Sequence, residues 1–146
     1  MAAAAGDASR EVRVQAARGL GVIGKPSEAL AVLARDPDPL VRAEALESSG
    51  AVGAPLADLA VQALADPAWQ VRVGAARCLG AAGPEHAAGP LVGALADANL
   101  DVRKAAVLAL GAWAERPEVA GALRGALSDS DADVRAHARR ALARVG

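Results

Sequence analysis

The sequence predicts an all-α, right-handed solenoid of about four and a half helical hairpins, and two observations carry that prediction. First, 53% of the residues are hydrophobic, much of that content is alanine, and the aromatic residues amount to Trp69 and Trp113. Alanine is the strongest helix former, whereas the aromatic residues that favour strands are nearly absent. Second, a motif of about thirty residues recurs five times along the chain, which is typical of stacked repeats.

The motif is built around a Val-Arg dipeptide. It occurs at Val12-Arg13, Val41-Arg42, Val71-Arg72, Val102-Arg103 and Val134-Arg135, in steps of 29, 30, 31 and 32 residues. Five residues before each valine stands an aspartate: Asp7, Asp36, Asp66, Asp97 and Asp129. Alanine follows each valine by four residues and leucine by eight, except that Ser49 replaces the leucine in the second copy. Positions 0, 4, 8 and 11 share one face of a helix with 3.6 residues per turn, so each copy predicts a core-facing helix, named helix B.

Residues typical of helix ends indicate where these helices begin and stop. The aspartate stands just before each helix, where a short acidic side chain caps free N–H groups, and Gly24, Gly53 and Gly83 provide C-terminal stops. The predicted helix B cores are 10–23, 39–52, 69–82, 101–114 and 133–145. The apolar segments 27–35, 55–65, 90–96 and 117–128 predict a shorter helix A before all but the first. One hairpin is too small to bury its own apolar face, so we expect residues 1–146 to form a single domain of stacked repeats.

The pattern D-x-x-x-x-V-R-x-x-A-A-x-x-L-G-x-x-G resembles the short HEAT-like repeats named after phycobilin lyase subunits, over residues 7 to 146. The resemblance implies an armadillo/HEAT-like superhelix, and it leaves function open because the motif residues are scaffold. It also implies a structural ladder in which the repeated arginine and aspartate link adjacent repeats. The positions that match are Asp36, Arg42, Asp66, Arg72, Asp97, Arg103, Asp129 and Arg135.

Composition disfavours several classes of function. The net charge of −1 argues against a dedicated nucleic-acid or membrane-surface binder, which would carry a basic excess. A single cysteine permits no internal disulfide, the N-terminus lacks the features of a secretory signal, and no apolar run reaches membrane-spanning length. We expect a cytoplasmic protein with no membrane contact.

Motifs that suggest chemistry are better explained by the repeat. GLGVIGK (19–25) matches a dinucleotide-binding pattern, but a helix precedes it where a strand is required. Cys78 fills a slot that holds small residues in the other copies, which indicates a buried, inert thiol. His86 and His137 lie in different repeats, with no zinc-site spacing and no nucleophile–base–carboxylate set. We therefore predict no catalytic, cofactor or metal site.

The face of helix B opposite the valine stripe is the remaining candidate site. Positions +3, +6 and +10 are small and largely apolar in the middle two repeats, with an acidic row before them and a basic row after them. Such a groove suits an amphipathic helix or an extended peptide, while a merely solvated face is an equal alternative. Trp69 fits either an exposed interface anchor or a local plug. The hypothesised partner-binding residues are Trp69, Val73, Arg77, Lys104, Leu108, Glu44, Glu47, Arg140 and Arg144.

The leading hypothesis is a non-catalytic protein–protein interaction or scaffold module that binds a partner on a concave helix-B face. One alternative is a phycobilin-lyase-like subunit that assists chromophore attachment. Another is a DNA-binding domain of the HEAT-like alkylpurine glycosylase type, which the neutral charge disfavours. Because neither end resembles a polar cap, we also expect a fragment of a longer protein, or a partner that covers the N-terminal edge.

Overall fold

The structure, a computed structural model, describes residues 3–24 and 28–146. Lys25 of the GLGVIGK stretch and Ser27, the first residue of the first predicted helix A, lie outside the described residues. Within them the chain forms a 3₁₀ turn, Ala3–Gly6, and nine α-helices without a strand. The helices are α1 (Arg10–Ile23), α2 (Glu28–Leu33), α3 (Pro39–Ala51), α4 (Ala57–Ala63), α5 (Trp69–Gly80), α6 (Pro84–Ala94), α7 (Leu100–Gly111), α8 (Pro117–Ala126) and α9 (Ala132–Ala143).

The helices alternate between two layers, as an all-α solenoid requires. The B helices α1, α3, α5, α7 and α9 pack side by side in chain order, and each of α2, α4, α6 and α8 packs against the B helix that follows it. The motif valines of the last four repeats are 0–1% exposed, and leucines of both layers fill the core beside them. Small side chains therefore build one continuous core along the array.

The first repeat departs from the predicted core stripe. Val12 is 38% exposed and Ile23 is 56% exposed, although both occupy stripe positions. The 3₁₀ turn stands in the place of a helix A, packing against α1 and α2. Because a single turn covers less apolar surface than a helix, part of the stripe of α1 stays in solvent.

The later B helices end earlier than the sequence predicts. Helices α5, α7 and α9 end at Gly80, Gly111 and Ala143, two or three residues before the expected ends. Their last turns tighten into i→i+3 hydrogen bonds, such as the one that the Ala82 N–H donates to the Leu79 carbonyl at 3.0 Å. This tightening is a common way to satisfy carbonyl groups at a helix end.

Ser49, the residue that breaks the leucine pattern, stabilises the turn between α3 and α4. It is fully buried, and its Oγ accepts a hydrogen bond from the Leu56 N–H at 3.0 Å. Its carbonyl accepts a second one from Ala54, which has a positive φ of 56°. The hydroxyl thus satisfies a backbone donor that a leucine would leave unpaired.

Candidate binding groove

An open groove of about 700 Å³ runs across the outward face of α3, α5, α7 and α9. Ala43 of α3 and Gly80 of α5 are among its lining residues, and the buried Gly74 of α5 packs against the backbone of α3. The neighbouring helix α7 presents Ala105 and Ala109 to the same space. Small residues on adjacent helices therefore create the depression.

Two exposed apolar side chains border this groove. Trp69, the first residue of α5, is 41% exposed, and Leu108 of α7 is 58% exposed. Val73, 8% exposed, lies at the base. The structure thus places Trp69 partly in solvent at the groove, where an aromatic side chain can pack against a ligand.

The charged groups along the groove are mostly paired across repeats. Arg77 Nη1 lies 2.9 Å from Glu47 Oε1, and Lys104 Nζ lies 2.9 Å from Asp133 Oδ2. The hydrogen bond to Asp133 raises the pKa of Lys104, and the same contact lowers the pKa of Asp133. The carboxylate of Asp101 accepts no hydrogen bond within the described part of the chain. The groove consequently combines an apolar centre with nearly neutral walls.

Most of the hypothesised partner-binding residues meet at this groove. Six of the nine line it: Glu47, Trp69, Val73, Arg77, Lys104 and Leu108. Arg140 and Arg144 line an adjoining depression of about 210 Å³, which His137 and Leu108 share. Glu44 lies outside both, where its carboxylate binds Arg18 at 3.0 Å.

Sequence reasoning missed Gln70 and Asp101, which also line the groove. Each immediately precedes a motif valine, and that position shares a helix face with positions +3 and +6. A helical wheel that included the residue before each valine would have found both.

The predicted ladder positions form regular rungs between repeats. The Nε–Oδ2 distances are 2.7 Å for Arg13–Asp36, 3.1 Å for Arg42–Asp66, 2.8 Å for Arg72–Asp97 and 3.0 Å for Arg103–Asp129. Each arginine also donates from Nη1 to two carbonyl oxygens of its own turn, as Arg72 does to Asp66 and Pro67. Arg13, which the prediction omitted, completes the first rung, while Arg135 binds only carbonyl oxygens.

The rungs shift the acidity of their carboxylates. Burial alone would raise the pKa of Asp97, but hydrogen bonds from Arg72 and from the Asn99 N–H outweigh it and lower the pKa. The pKa of Asp36 and that of Asp129 are lowered by the same balance. Charge-assisted bidentate contacts of this kind favour the ionised carboxylate.

The one thiol of the chain is enclosed in the core. Cys78 is fully buried, and this burial raises the pKa of its thiol despite a hydrogen bond with Ser49. The described residues hold no group of three or more His, Cys, Asp and Glu side chains suited to a metal ion. No helix in the described ranges has the length and hydrophobicity to cross a membrane.

Comparisons with known proteins identify other proteins built from helical repeats. The model of the HEAT-repeat family matches residues 1–59 and 56–143. The comparison with curated proteins finds no match. Among solved structures, the complex of CpcE and CpcF of phycocyanin lyase from Nostoc sp. PCC7120 is 24% identical, with 96% of this chain and 94% of that chain covered and a TM-score of 0.77.

Two artificial proteins are also similar in fold. An engineered protein is 24% identical, with 99% of this chain and 77% of that chain covered and a TM-score of 0.71. A designed armadillo repeat protein in complex with the peptide (KR)4 is 20% identical, with coverages of 99% and 80% and a TM-score of 0.72. At these identities the likeness extends to the fold.

Proposed function

The chain belongs to the HEAT-repeat family, and from that premise we propose that it is a non-catalytic protein-interaction module. In this proposal the groove over α5 and α7 binds a segment of another protein. The observation that carries the proposal is the shared groove of Trp69 and Leu108, two exposed apolar side chains that border one depression between repeats. Interfaces draw most of their affinity from a few such anchors surrounded by neutral contacts.

The chemistry of the groove suggests what the bound segment carries. An apolar centre beside Trp69, Val73 and Leu108 favours apolar side chains on one face of the ligand. Arg140 and Arg144, in the adjoining depression, favour an acidic side chain at the ligand end nearest α9. The expected ligand is therefore an amphipathic helix or extended peptide, apolar along one face and acidic at one end.

The proposal assigns the chain no chemical step. Its single thiol is buried, and His86 contacts Asp58 at 2.8 Å, in a different repeat from His137. The groove charges also argue against duplex DNA as the ligand, because Arg77 and Lys104 are paired with carboxylates. A phosphate-binding surface would present unpaired basic groups.

A selection from a random dodecapeptide phage library, followed by titration of the selected peptides, tests the proposal. Binding is followed through Trp69 fluorescence in the Trp113→Phe background, where Trp69 is the remaining tryptophan. We expect peptides that bind this protein and lose at least about tenfold in affinity to the Arg77→Glu/Leu108→Asp variant.

Val32→Asp is the matched control, because Val32 is 64% exposed on α2, away from the groove. Selected peptides should bind this control as tightly as the parent protein. Equal affinity for the groove variant and the parent would show that the peptides bind elsewhere. Tight, steeply salt-dependent binding of duplex DNA would instead support the nucleic-acid alternative.

A further inference from the structure

The two ends of the repeat array carry opposite halves of the contact that joins repeats inside it. In the interior rungs, arginine Nε and Nη2 bind both carboxylate oxygens of the next repeat's aspartate, as Arg72 binds Asp97 at 2.8 and 3.1 Å. The remaining nitrogen, Nη1, binds carbonyl oxygens of the arginine's own turn. Each rung therefore needs one oriented guanidinium and one carboxylate from the following repeat.

The last repeat has the oriented guanidinium without the carboxylate. Arg135 Nη1 donates to the carbonyl oxygens of Asp129 and Ser130 at 2.8 and 3.0 Å, like its counterparts. Its Nε and Nη2 have no acceptor in the described ranges, whereas the same atoms of Arg103 bind Asp129. The C-terminal edge thus presents a preoriented pair of donors.

The first repeat has the carboxylate without the guanidinium. Asp7 Oδ1 accepts a hydrogen bond from the Ser9 N–H at 2.8 Å, the same turn that Asp36 forms with the Asp38 N–H at 2.8 Å. Asp36 is 9% exposed beneath Arg13, but Asp7 is exposed, and its carboxylate accepts no hydrogen bond from an arginine in the described part of the chain. The acceptor half of a rung is therefore preformed at the N-terminal edge.

The surfaces beside these two groups also carry opposite charges, and the one beside Asp7 includes a depression. At the N-terminal edge, a depression of about 300 Å³ is lined by Ala4, Val12 and Ala16, with Glu11 at the same site. Val134, in the last described repeat, is fully buried, so its own repeat and the preceding one suffice to bury this valine. A repeat stacked before α1 would cover Val12 in the same way.

At the C-terminal edge the complementary position is Arg139. Its equivalents Ala17, Leu46, Ala76 and Val107 are 0–1% exposed where a further repeat follows. Arg139 is exposed and makes no hydrogen bond within the described ranges. A head-to-tail neighbour would bring the guanidinium of its Arg139 to the edge that carries Glu11, and the aliphatic stem could cover apolar surface there. The acidic edge of Asp7 and Glu11 would then oppose the basic edge of Arg135 and Arg139.

Close helix packing is preserved across such a junction. Inside the array, a glycine nine residues after the valine meets a small residue of the next B helix, as Gly80 meets Ala109. At the junction between two copies, Ala143 would take the place of Gly80, and Gly19 of the next copy would take the place of Ala109. The contact would therefore still contain one glycine.

From these complementary edges we infer that a second copy of this chain stacks head to tail on the array, with Arg135 of one copy binding Asp7 of the next. This inference is independent of the groove. Because the two surfaces of a head-to-tail contact differ, it generates open chains, or a ring where the rotation closes, and not a two-fold symmetric dimer.

Sedimentation velocity on the 146-residue chain tests the inference, from about 10 μM to about 1 mM protein and from about 0.05 M to about 0.5 M NaCl. We expect a weight-average mass that rises continuously with concentration and falls with salt. Asp7→Arg and Arg135→Asp should each raise the dissociation constant at least about tenfold, because like charges then meet. An equimolar mixture of the two variants should associate again, since it still offers one native edge of each kind.

Two further variants separate association from folding. Arg139→Glu reverses an edge charge that makes no hydrogen bond among the described residues, and we expect it to weaken association while circular dichroism stays unchanged. Arg35→Glu reverses an exposed charge in the second repeat and should leave association intact. A monomer at every concentration would overturn the inference. The Asp7 and Arg135 edges would then be expected to contact further repeats or another protein. A discrete closed dimer, or unchanged association of Asp7→Arg and Arg135→Asp, would overturn it as well.

Discussion

Gly74 of α5 approaches α3 so closely that a Cβ at this position would lie 2.6 Å from the carbonyl oxygen of Ala43. That distance is shorter than side-chain carbons tolerate, and the obstacle is backbone, which cannot rotate away. Both helices carry lining residues of the groove, so the spacing of α3 and α5 there depends on the missing side chain of the buried Gly74.

Gly74→Ala should destabilise the protein by about 1–3 kcal/mol, because the added methyl overpacks the contact between α3 and α5. The matched control is Gly93→Ala in α6, where a Cβ meets nothing within 4 Å and no proline follows. Alanine there should stabilise the helix by about 0.5–1 kcal/mol through its higher helix propensity. Urea unfolding of both variants measures the difference, and equal effects would show that the approach of α5 to α3 is not tight.

Asp97→Asn should destabilise the protein by about 2 kcal/mol, because it leaves the half-buried Arg72 without its charged acceptor. Asp7→Asn is the control at the equivalent position, where no arginine of the described ranges binds the carboxylate. The control should change the unfolding free energy by less than about 0.5 kcal/mol. Equal losses in the two variants would mean that the aspartate acts only through its local turn. Both are measured on dilute protein, where association between copies does not contribute.

The ladder should make the protein sensitive to acid. Since the pKa of Asp97 is lowered in the folded state, its contribution to stability is fully present above the unfolded pKa of about 3.9. That contribution is lost as the pH falls through the lower folded pKa. The difference in unfolding free energy between the parent protein and Asp97→Asn should therefore be largest near neutral pH and shrink below about pH 4. A difference that stays constant down to pH 2 would contradict this role.

Cys78 should resist thiol reagents in the native protein. Its side chain is fully buried and its pKa is raised by burial, so little reactive thiolate forms and little reagent reaches it. Ellman's reagent at pH 8 should react only at the rate of unfolding, and promptly in concentrated urea. Ser128→Cys in the Cys78→Ala background, which places a thiol at an exposed site, should react at once. Equally fast reaction of native Cys78 would show that the α3–α5 contact opens readily.

Much of the fold could be predicted from the sequence because the same pattern of capping and core-facing residues recurs in five copies. The valine stripe and the preceding aspartate predict α3, α5, α7 and α9, and the structure has an all-α solenoid of stacked repeats. The helix ends and the first repeat were less predictable. Whether Ile23 is buried depends on the element stacked against it, which the periodicity of α1 does not encode.

The candidate site, too, was predictable only in part from the sequence. The sequence by itself determined which residues share the outward face of each B helix, because helical periodicity fixes that relation locally. Only the tertiary structure decided that Trp69 and Leu108 border one groove, that Glu47 pairs with Arg77, and that Glu44 turns away to Arg18. Those outcomes depend on how neighbouring helices are displaced and rotated when Gly74 packs against Ala43, a long-range contact that a pattern within one repeat cannot specify.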